Sequence, residues 1–145
     1  MKKFALLLAA MLIAVAAMWW PTRAQNQDEA GVRQAIEYYF QGHATGNGEH
    51  FKKAFHSEAK LFWIRDGQLT QRTSAEFAAG ASGKPAADED KRKRSIESID
   101  ITGNAAIAKV VLDYPQVRFT DYMSLLKING EWKIVNKTFV SEPKK

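Results

Sequence analysis

The chain has 145 residues, 46% hydrophobic and 26% charged, and its 21 Lys and Arg against 16 Asp and Glu give a net charge of +5. This length and composition are typical of one globular domain and not of a disordered chain. The chain contains no Cys, which excludes disulfide frameworks, cysteine-ligated zinc and thiol nucleophiles. The positive charge alone would suggest nucleic acid as a partner.

The N-terminal segment is typical of a secretory signal. Lys2 and Lys3 precede an apolar run that ends at Trp20, and the small residues Thr22 and Ala24 follow. We predict a signal peptide over 1–24, cleavage after Ala24 and a periplasmic or secreted domain over 25–145. The alternative is a retained anchor, because the apolar run is near the shortest length that spans a bilayer. The segment carries much of the excess positive charge and no acidic residue.

Helical patterns follow the signal segment. Asn26 and Asp28 can cap a first helix, whose apolar residues recur at helical spacing at Val32, Ile36, Tyr39, Phe40 and His43. The glycine-rich stretch 42–48 predicts its end. A short second helix over 49–55 would bury Phe51, Ala54 and Phe55.

From Lys60 the apolar period changes to two, which is typical of strands. Strands over 60–65 and 68–73 flank Asp66-Gly67, a strong hairpin signal. Ser74 can cap a short helix that carries Phe77, and 80–90 is predicted to be a loop. Four further β segments are predicted over 94–102, 105–114, 117–128 and 131–140.

Helices followed by an antiparallel meander predict an α+β domain with the helices on one face of the sheet. Long strands that enclose helices require a curved sheet, and a curved sheet forms a concave cavity. No internal repeat is found.

Several segments resemble the nuclear transport factor 2-like superfamily, and within it the lumazine-binding (SnoaL-like) branch. They are the helix end from His43 to Gly48, the segments 53–61 and 64–69, and the closing hairpin from Phe119 to Phe139. The resemblance implies a cone of mostly antiparallel curved sheet around N-terminal helices, and often a homodimer. It indicates function only weakly, because this fold hosts isomerases, dehydratases, cyclases, ligand binders and silent scaffolds.

The Asn129-Gly130 turn predicts the register of the closing hairpin. It pairs Ile128 with Glu131 and, by stepping back, Leu125 with Ile134. An uninterrupted ladder then sets Met123 opposite Asn136 and Asp121 opposite Thr138. The interior face would carry Phe119, Asp121, Met123, Leu125, Trp132, Ile134, Asn136 and Thr138.

The Gly103-Asn104 turn gives a second register. It places Glu97 on an apolar face, near its edge, together with Ile99, Ile101, Ala106, Ala108, Val110, Leu112 and Tyr114. The opposite face also carries apolar residues, Ile107 among them. We therefore expect the outer face to be covered by a second subunit.

Asp121 is the main candidate catalytic residue, because the register puts its carboxylate on an apolar face. Burial there would raise its pKa and suit it to proton abstraction. Asn136 and Thr138 could hold a ligand carbonyl at the same end. The alternative is structural: the three side chains satisfy one another, or a bulge turns Asp121 outward.

His43 follows Tyr39 by one helical turn and could reach the cavity as acid, base or donor; the alternative is a core histidine. His50 and His56 give no paired-ligand spacing, so no metal site and no cofactor is predicted. Trp63 and Phe62 lie on opposite faces of their strand, and parity alone leaves open which lines the cavity. The aromatic side chains that would suit a flat apolar ligand would equally suit a small core: Tyr38, Tyr39, Phe77 and Phe119.

The basic run 91–94 follows three acids at 88–90 that neutralise much of it. We predict a solvated loop and no nucleic-acid partner. Three functions stay open: an exported small-molecule binder or accessory domain, a cofactor-free isomerase or dehydratase with Asp121 as base and His43 or Tyr39 polarising the substrate, and a dimerisation scaffold without ligand.

Overall fold

The computed structural model describes residues 25–145. The predicted signal peptide lies outside these residues and stays a prediction. Three α-helices are present in this part of the chain: α1 over 25–45, α2 over Gly48–Ala54 and α3 over Ser74–Ala79. None of the helices described is long and apolar enough to cross a membrane.

Six strands form one curved mixed sheet in the order β2-β1-β6-β5-β4-β3. Their bounds are β1 Phe55–Arg65, β2 Gln68–Thr73, β3 Lys93–Thr102, β4 Ala105–Asp113, β5 Val117–Ile128 and β6 Glu131–Pro143. All neighbours are antiparallel except β1 and β6, which are parallel. A 3-10 turn over Glu89–Lys91 precedes β3. The predicted α+β cone is therefore confirmed.

Side chains at the helix ends explain where two of the helices begin. The Asn47 side chain accepts from the backbone N–H of Glu49 at the start of α2. Thr73 caps α3 and forms a capping box with Glu76. The prediction that Ser74 caps this helix is wrong by one residue, because the Ser74 hydroxyl donates instead to the carbonyls of His56 and Ser57.

The predicted cap of α1 at Asn26 or Asp28 is also wrong, since the chain is already helical at residue 25. The Asp28 carboxylate instead accepts from Lys127 Nζ at 2.7 Å and from Trp132 Nε1 at 3.1 Å. Beside it, a Cβ added at Gly31 would lie 2.5 Å from Trp132 Cδ1. The glycine therefore lets α1 lie directly against the closing hairpin.

The three predicted two-residue hairpin turns, at 66–67, 103–104 and 129–130, are confirmed. Asp66 and Asn129 each have φ of 51°, and each is followed by a glycine at positive φ. Asp and Asn tolerate this left-handed conformation better than other side chains, and glycine adopts it freely. Ile128 pairs with Glu131 and Leu125 with Ile134, as the turn predicts.

Beyond these pairs the predicted register of β6 is wrong, because the ladder contains a β-bulge. Leu125 pairs with Ile134 but Ser124 pairs with Asn136, so Val135 is the extra residue. An extra residue moves every later side chain to the other face of the sheet. Met123 therefore faces Lys137, and Asp121 faces Phe139.

A second bulge corrects the other predicted register. Ile96 pairs with Val110 and Ser98 with Lys109, which makes Glu97 the extra residue of β3. Glu97 is therefore not on the apolar face. It is exposed and pairs with Lys109 at 2.8 Å and Arg118 at 3.5 Å on the outer face.

The core fills the space between α1 and the concave face of the sheet. Its fully buried members include Val32, Ile36 and Tyr39 of α1, together with Leu112, Met123, Leu125 and Ile134 of the sheet. Phe51, Ala54 and Phe55 are buried as predicted. Two charged residues, Asp121 and Lys137, lie within this apolar interior.

Candidate functional site

A triad of polar side chains lies buried in the concave interior, formed by Tyr39 of α1, Asp121 of β5 and Lys137 of β6. The Tyr39 hydroxyl donates to Asp121 Oδ2 at 2.6 Å. The Lys137 ammonium donates to Asp121 Oδ1 at 3.1 Å and to the Tyr39 oxygen at 2.9 Å. We call these three residues the polar triad. Both carboxylate oxygens accept a hydrogen bond, and the three side chains are linked pairwise in a ring of hydrogen bonds.

Burial governs the charges of the polar triad. It lowers the pKa of Lys137, while the Asp121 carboxylate opposes that shift. Burial also raises the pKa of Tyr39 well above its ordinary value, and the negative charge of Asp121 raises it further. Tyr39 therefore stays a neutral phenol and a hydrogen-bond donor. Lys137 therefore loses its proton more readily than a surface lysine does.

An aromatic cavity of about 440 Å³ opens next to the polar triad. Trp63, Phe77, Phe119 and Phe139 contribute rings to its wall, together with Leu61 and Arg72. The Trp63 and Phe139 rings lie 5.3 Å apart. Trp63 and Leu61 thus lie on the face of β1 that lines this cavity, and Phe62 lies on the opposite face. This answers which of the two aromatic residues lines the cavity.

Two rings of the cavity wall, Phe77 and Phe139, also contact the polar triad. Lys137 Nζ lies 4.3 Å from the centre of the Phe139 ring and 5.7 Å from that of Phe77. Aromatic faces attract a cation at such distances. Asp121 lies between Phe119, two residues earlier on the same strand, and Phe139 across the ladder. The amine is therefore separated from the cavity by one layer of aromatic rings.

His43 packs against the polar triad without a hydrogen bond to it. Its ring lies edge-on to Tyr39 at 4.6 Å and near Phe51 at 5.1 Å. Its Nε2 atom is buried and has no hydrogen-bond partner among residues 25–145. Burial first, and then the charges of Lys137, Arg94 and Arg92, lower the pKa of His43 to about 3. His43 is therefore a neutral imidazole at ordinary pH.

The predicted site residues divide between the two faces of the sheet. Tyr39, Asp121 and Met123 are buried in the interior, and Trp63, Phe77 and Phe119 line the aromatic cavity. Asn136 and Thr138 lie across the sheet on the convex face, because they follow the Val135 bulge. They therefore do not accompany Asp121. Tyr38, counted among possible cavity walls, lies instead beside Lys53, with Nζ 5.6 Å from its ring.

Sequence reasoning missed Lys137 and Phe139. Both stand where an uninterrupted ladder would put solvent-facing residues, and a lysine is ordinarily read as exposed. The signal was a change of phase in the apolar pattern of β6. Trp132 and Ile134 occupy even positions, whereas Phe139 occupies an odd one.

The basic run 91–94 is only partly a solvated loop. Arg92 and Arg94 are half-buried and lie over the Tyr114 ring at 4.3 Å and 5.2 Å. Asp88 pairs with Arg92 and Glu89 with Arg94. The preceding acids thus neutralise these two arginines by direct contact. Among residues 25–145, no three His, Asp or Glu side chains are grouped closely enough to hold a metal ion.

A curated relative and two solved structures are similar to this chain. Aldolase FrzH of Cladobotryum sp. is 27% identical over 108 residues, which cover 73% of this chain and 85% of that protein. A nuclear transport factor 2-like protein of unknown function from Shewanella baltica OS155 is 28% identical, with a TM-score of 0.73 over 81% of this chain and 96% of that one. Another from Methylobacillus flagellatus KT is 29% identical, with a TM-score of 0.67 over 79% and 92%.

The family model described as "Putative lumazine-binding" matches residues 27–140, which is nearly all of the structure described. The N-terminal helices packed against a curved mixed sheet match the α+β cone fold of the solved relatives. The chain therefore belongs to this lumazine-binding family, within the nuclear transport factor 2-like superfamily.

Proposed function

We propose that this domain binds a small, flat organic molecule in the aromatic cavity. The observation that carries the proposal is the wall made by Trp63, Phe77, Phe119 and Phe139 next to a buried polar triad. Small-molecule sites are concave and mostly apolar, with few polar groups that orient the ligand. A volume of about 440 Å³ lies within the range of such sites, roughly 300–1,000 Å³.

The binding proposal is tested first on the protein as purified from its own organism. Native mass spectrometry would report a retained ligand, and titration calorimetry would then measure the affinity for flat aromatic probes, lumazine among them. A protein that retains nothing and binds none of the probes would support the alternative, a scaffold without ligand.

Replacing Trp63 with Ala should weaken binding of the best probe by about 10- to 100-fold, because it removes a stacking surface worth roughly 1.5–3 kcal/mol. The matched control is Leu69→Ala, which removes an exposed apolar side chain of β2 that does not line the cavity. Calorimetry on both variants checks the prediction. Equal affinities for the two variants would contradict it.

A second candidate is an enzyme that acts on a carbonyl compound. The buried polar triad next to the aromatic cavity favours it, and so does the similarity to a protein named an aldolase. Asp121 would be the base, and the phenol of Tyr39 would donate to the developing oxyanion. An isomerase or dehydratase would use the same groups. Asp121→Asn should abolish any turnover that is found in a folded variant.

We propose in addition that the domain forms a homodimer through its convex face. Ile107, Tyr122 and Leu126 lie there on β4 and β5 with 61%, 54% and 40% of their surface exposed. Apolar groups of this size on one face are typical of a covered surface. Together we call them the convex patch.

Tyr122→Glu should convert the dimer to a monomer, since the interface would bury an unpaired charge next to its own symmetry copy. Light scattering after size-exclusion chromatography measures this change. The control is Ile64→Glu, an exposed apolar residue at the tip of the first hairpin. A dimer that persists in Tyr122→Glu would place the interface elsewhere.

A further inference from the structure

We infer that Lys137 is the amine that forms an imine with a small aldehyde or ketone bound in the aromatic cavity. The inference deepens the proposed function, because it requires that the cavity binds such a molecule. It names both the ligand class, a carbonyl compound with an apolar body, and the atom that bonds to it.

The Lys137 amine lies next to the cavity, behind two of the aromatic rings that line it. Lys137 is 4% exposed, and its Nζ atom lies between the polar triad on one side and the Phe77 and Phe139 rings on the other. Both rings also line the cavity. For a carbonyl carbon to reach Nζ, one of these side chains must turn aside. Phe77 is the better candidate, because it is half-buried and lies on the short helix α3 at the edge of the core.

The protonation state of the amine matters as well, since only a neutral amine is a nucleophile. Burial lowers the pKa of Lys137, which raises the fraction of the neutral amine at neutral pH. Exposed lysines such as Lys52, whose side chain is 62% exposed, lie in water. Among the lysines of the part of the chain that the structure describes, Lys137 is therefore the one whose burial favours the neutral amine.

Imine formation also requires proton transfers, and the Asp121 carboxylate and the Tyr39 hydroxyl are placed to carry them. Asp121 Oδ1 takes a proton from the ammonium, and the neutral amine forms a C–N bond as the carbonyl π electrons move to oxygen. Tyr39 lies within hydrogen-bond distance of both Nζ and Asp121 and can relay that proton to the oxygen. The nitrogen then gives up a second proton, which passes through the same groups to the hydroxyl. The C–O bond breaks as water leaves, and the nitrogen lone pair forms the C=N bond of the iminium. Ammonium plus carbonyl gives iminium plus water, so charge is conserved and no oxidant or reductant is needed.

Asp121 also pairs with the product. The iminium carries the same single positive charge as the ammonium that it replaces, at the same atom. Asp121 therefore stays paired in the low-dielectric interior. A buried lysine without a carboxylate would lose this advantage. Burial, an adjacent acid and an adjacent phenol thus supply the groups that imine formation at Lys137 requires.

The test is reductive trapping with benzaldehyde and sodium cyanoborohydride at neutral pH, followed by peptide mass spectrometry. We expect one N-benzyl group at Lys137, formed faster than at any exposed lysine of residues 25–145. Lys137→Arg keeps the positive charge but cannot form an imine, and it should lose this modification. Lys52→Met is the matched control and should keep it. Phe77→Ala should accelerate trapping, because it removes a ring between cavity and amine.

The possible outcomes separate the inference from the proposed function. Benzaldehyde binding is measured independently through its effect on the NMR signals of the cavity side chains. Binding in the cavity with modification spread over exposed lysines would overturn the imine and leave the binding function standing. No binding of benzaldehyde or of any other aromatic probe would overturn both. Mapping of the adduct in the unaltered protein does not depend on whether a variant folds.

Discussion

Replacing Asp121 with Asn should lower the free energy of unfolding by about 3–5 kcal/mol, the usual cost of removing one partner from a buried ion pair. The change keeps the shape of the side chain but leaves the Lys137 ammonium without a counterion. Asp121 has no exposed surface and Lys137 has 4%, so water cannot replace the lost partner. Urea denaturation followed by circular dichroism gives the free energy.

The matched control is Glu29→Gln, the same acid-to-amide change in the exposed pair of Glu29 with Arg33 on α1. It should have little measurable effect, because water screens such pairs. The double variant Asp121→Leu with Lys137→Met should recover most of the stability, since it leaves no charge in the core. A loss below about 1 kcal/mol for Asp121→Asn would show that Lys137 is neutral or reaches solvent.

The elements and turns of this fold could be predicted because their signals are local. Asp66-Gly67 and Asn129-Gly130 select hairpins whose residues adopt positive φ, and alternation then marks the strands on either side. The burial of Asp121 followed from the same reasoning, since β5 contains no bulge and its alternation runs unbroken from Phe119 to Leu125.

The polar triad could not be predicted in full, because each bulge changes the register by one residue. Val135 in β6 and Glu97 in β3 are ordinary strand residues, and neither marks itself as the extra one. Each bulge changes the positions at which apolar residues recur in its strand. In β3, for example, Ile96 and Ile99 both face inward although they are three residues apart, whereas regular alternation puts inward residues two apart. Without the bulge, the predicted register puts Lys137 on the solvent-facing side of β6.

His43 should make the protein acid-sensitive. Its pKa is lowered to about 3 in the folded state against about 6.5 in the unfolded chain. Between these values the unfolded state binds one proton more, so stability falls as pH falls through this window and the loss is complete below about pH 3. From pH 7 to pH 4 the contribution of His43 is about 3 kcal/mol. Urea denaturation at both pH values measures it.

The variant His43→Leu isolates this contribution, because leucine fills the space among Tyr39, Phe51 and Phe77 but does not titrate. The carboxylates titrate in both proteins, so the quantity of interest is the difference between their stability losses from pH 7 to pH 4. His56→Gln, on β1 and outside this aromatic cluster, should leave the loss unchanged. Parallel curves for wild type and His43→Leu would mean that the imidazole is protonated in the fold at pH 4. In that case His43 could serve as a general acid, a role that the neutral, unpartnered ring does not support.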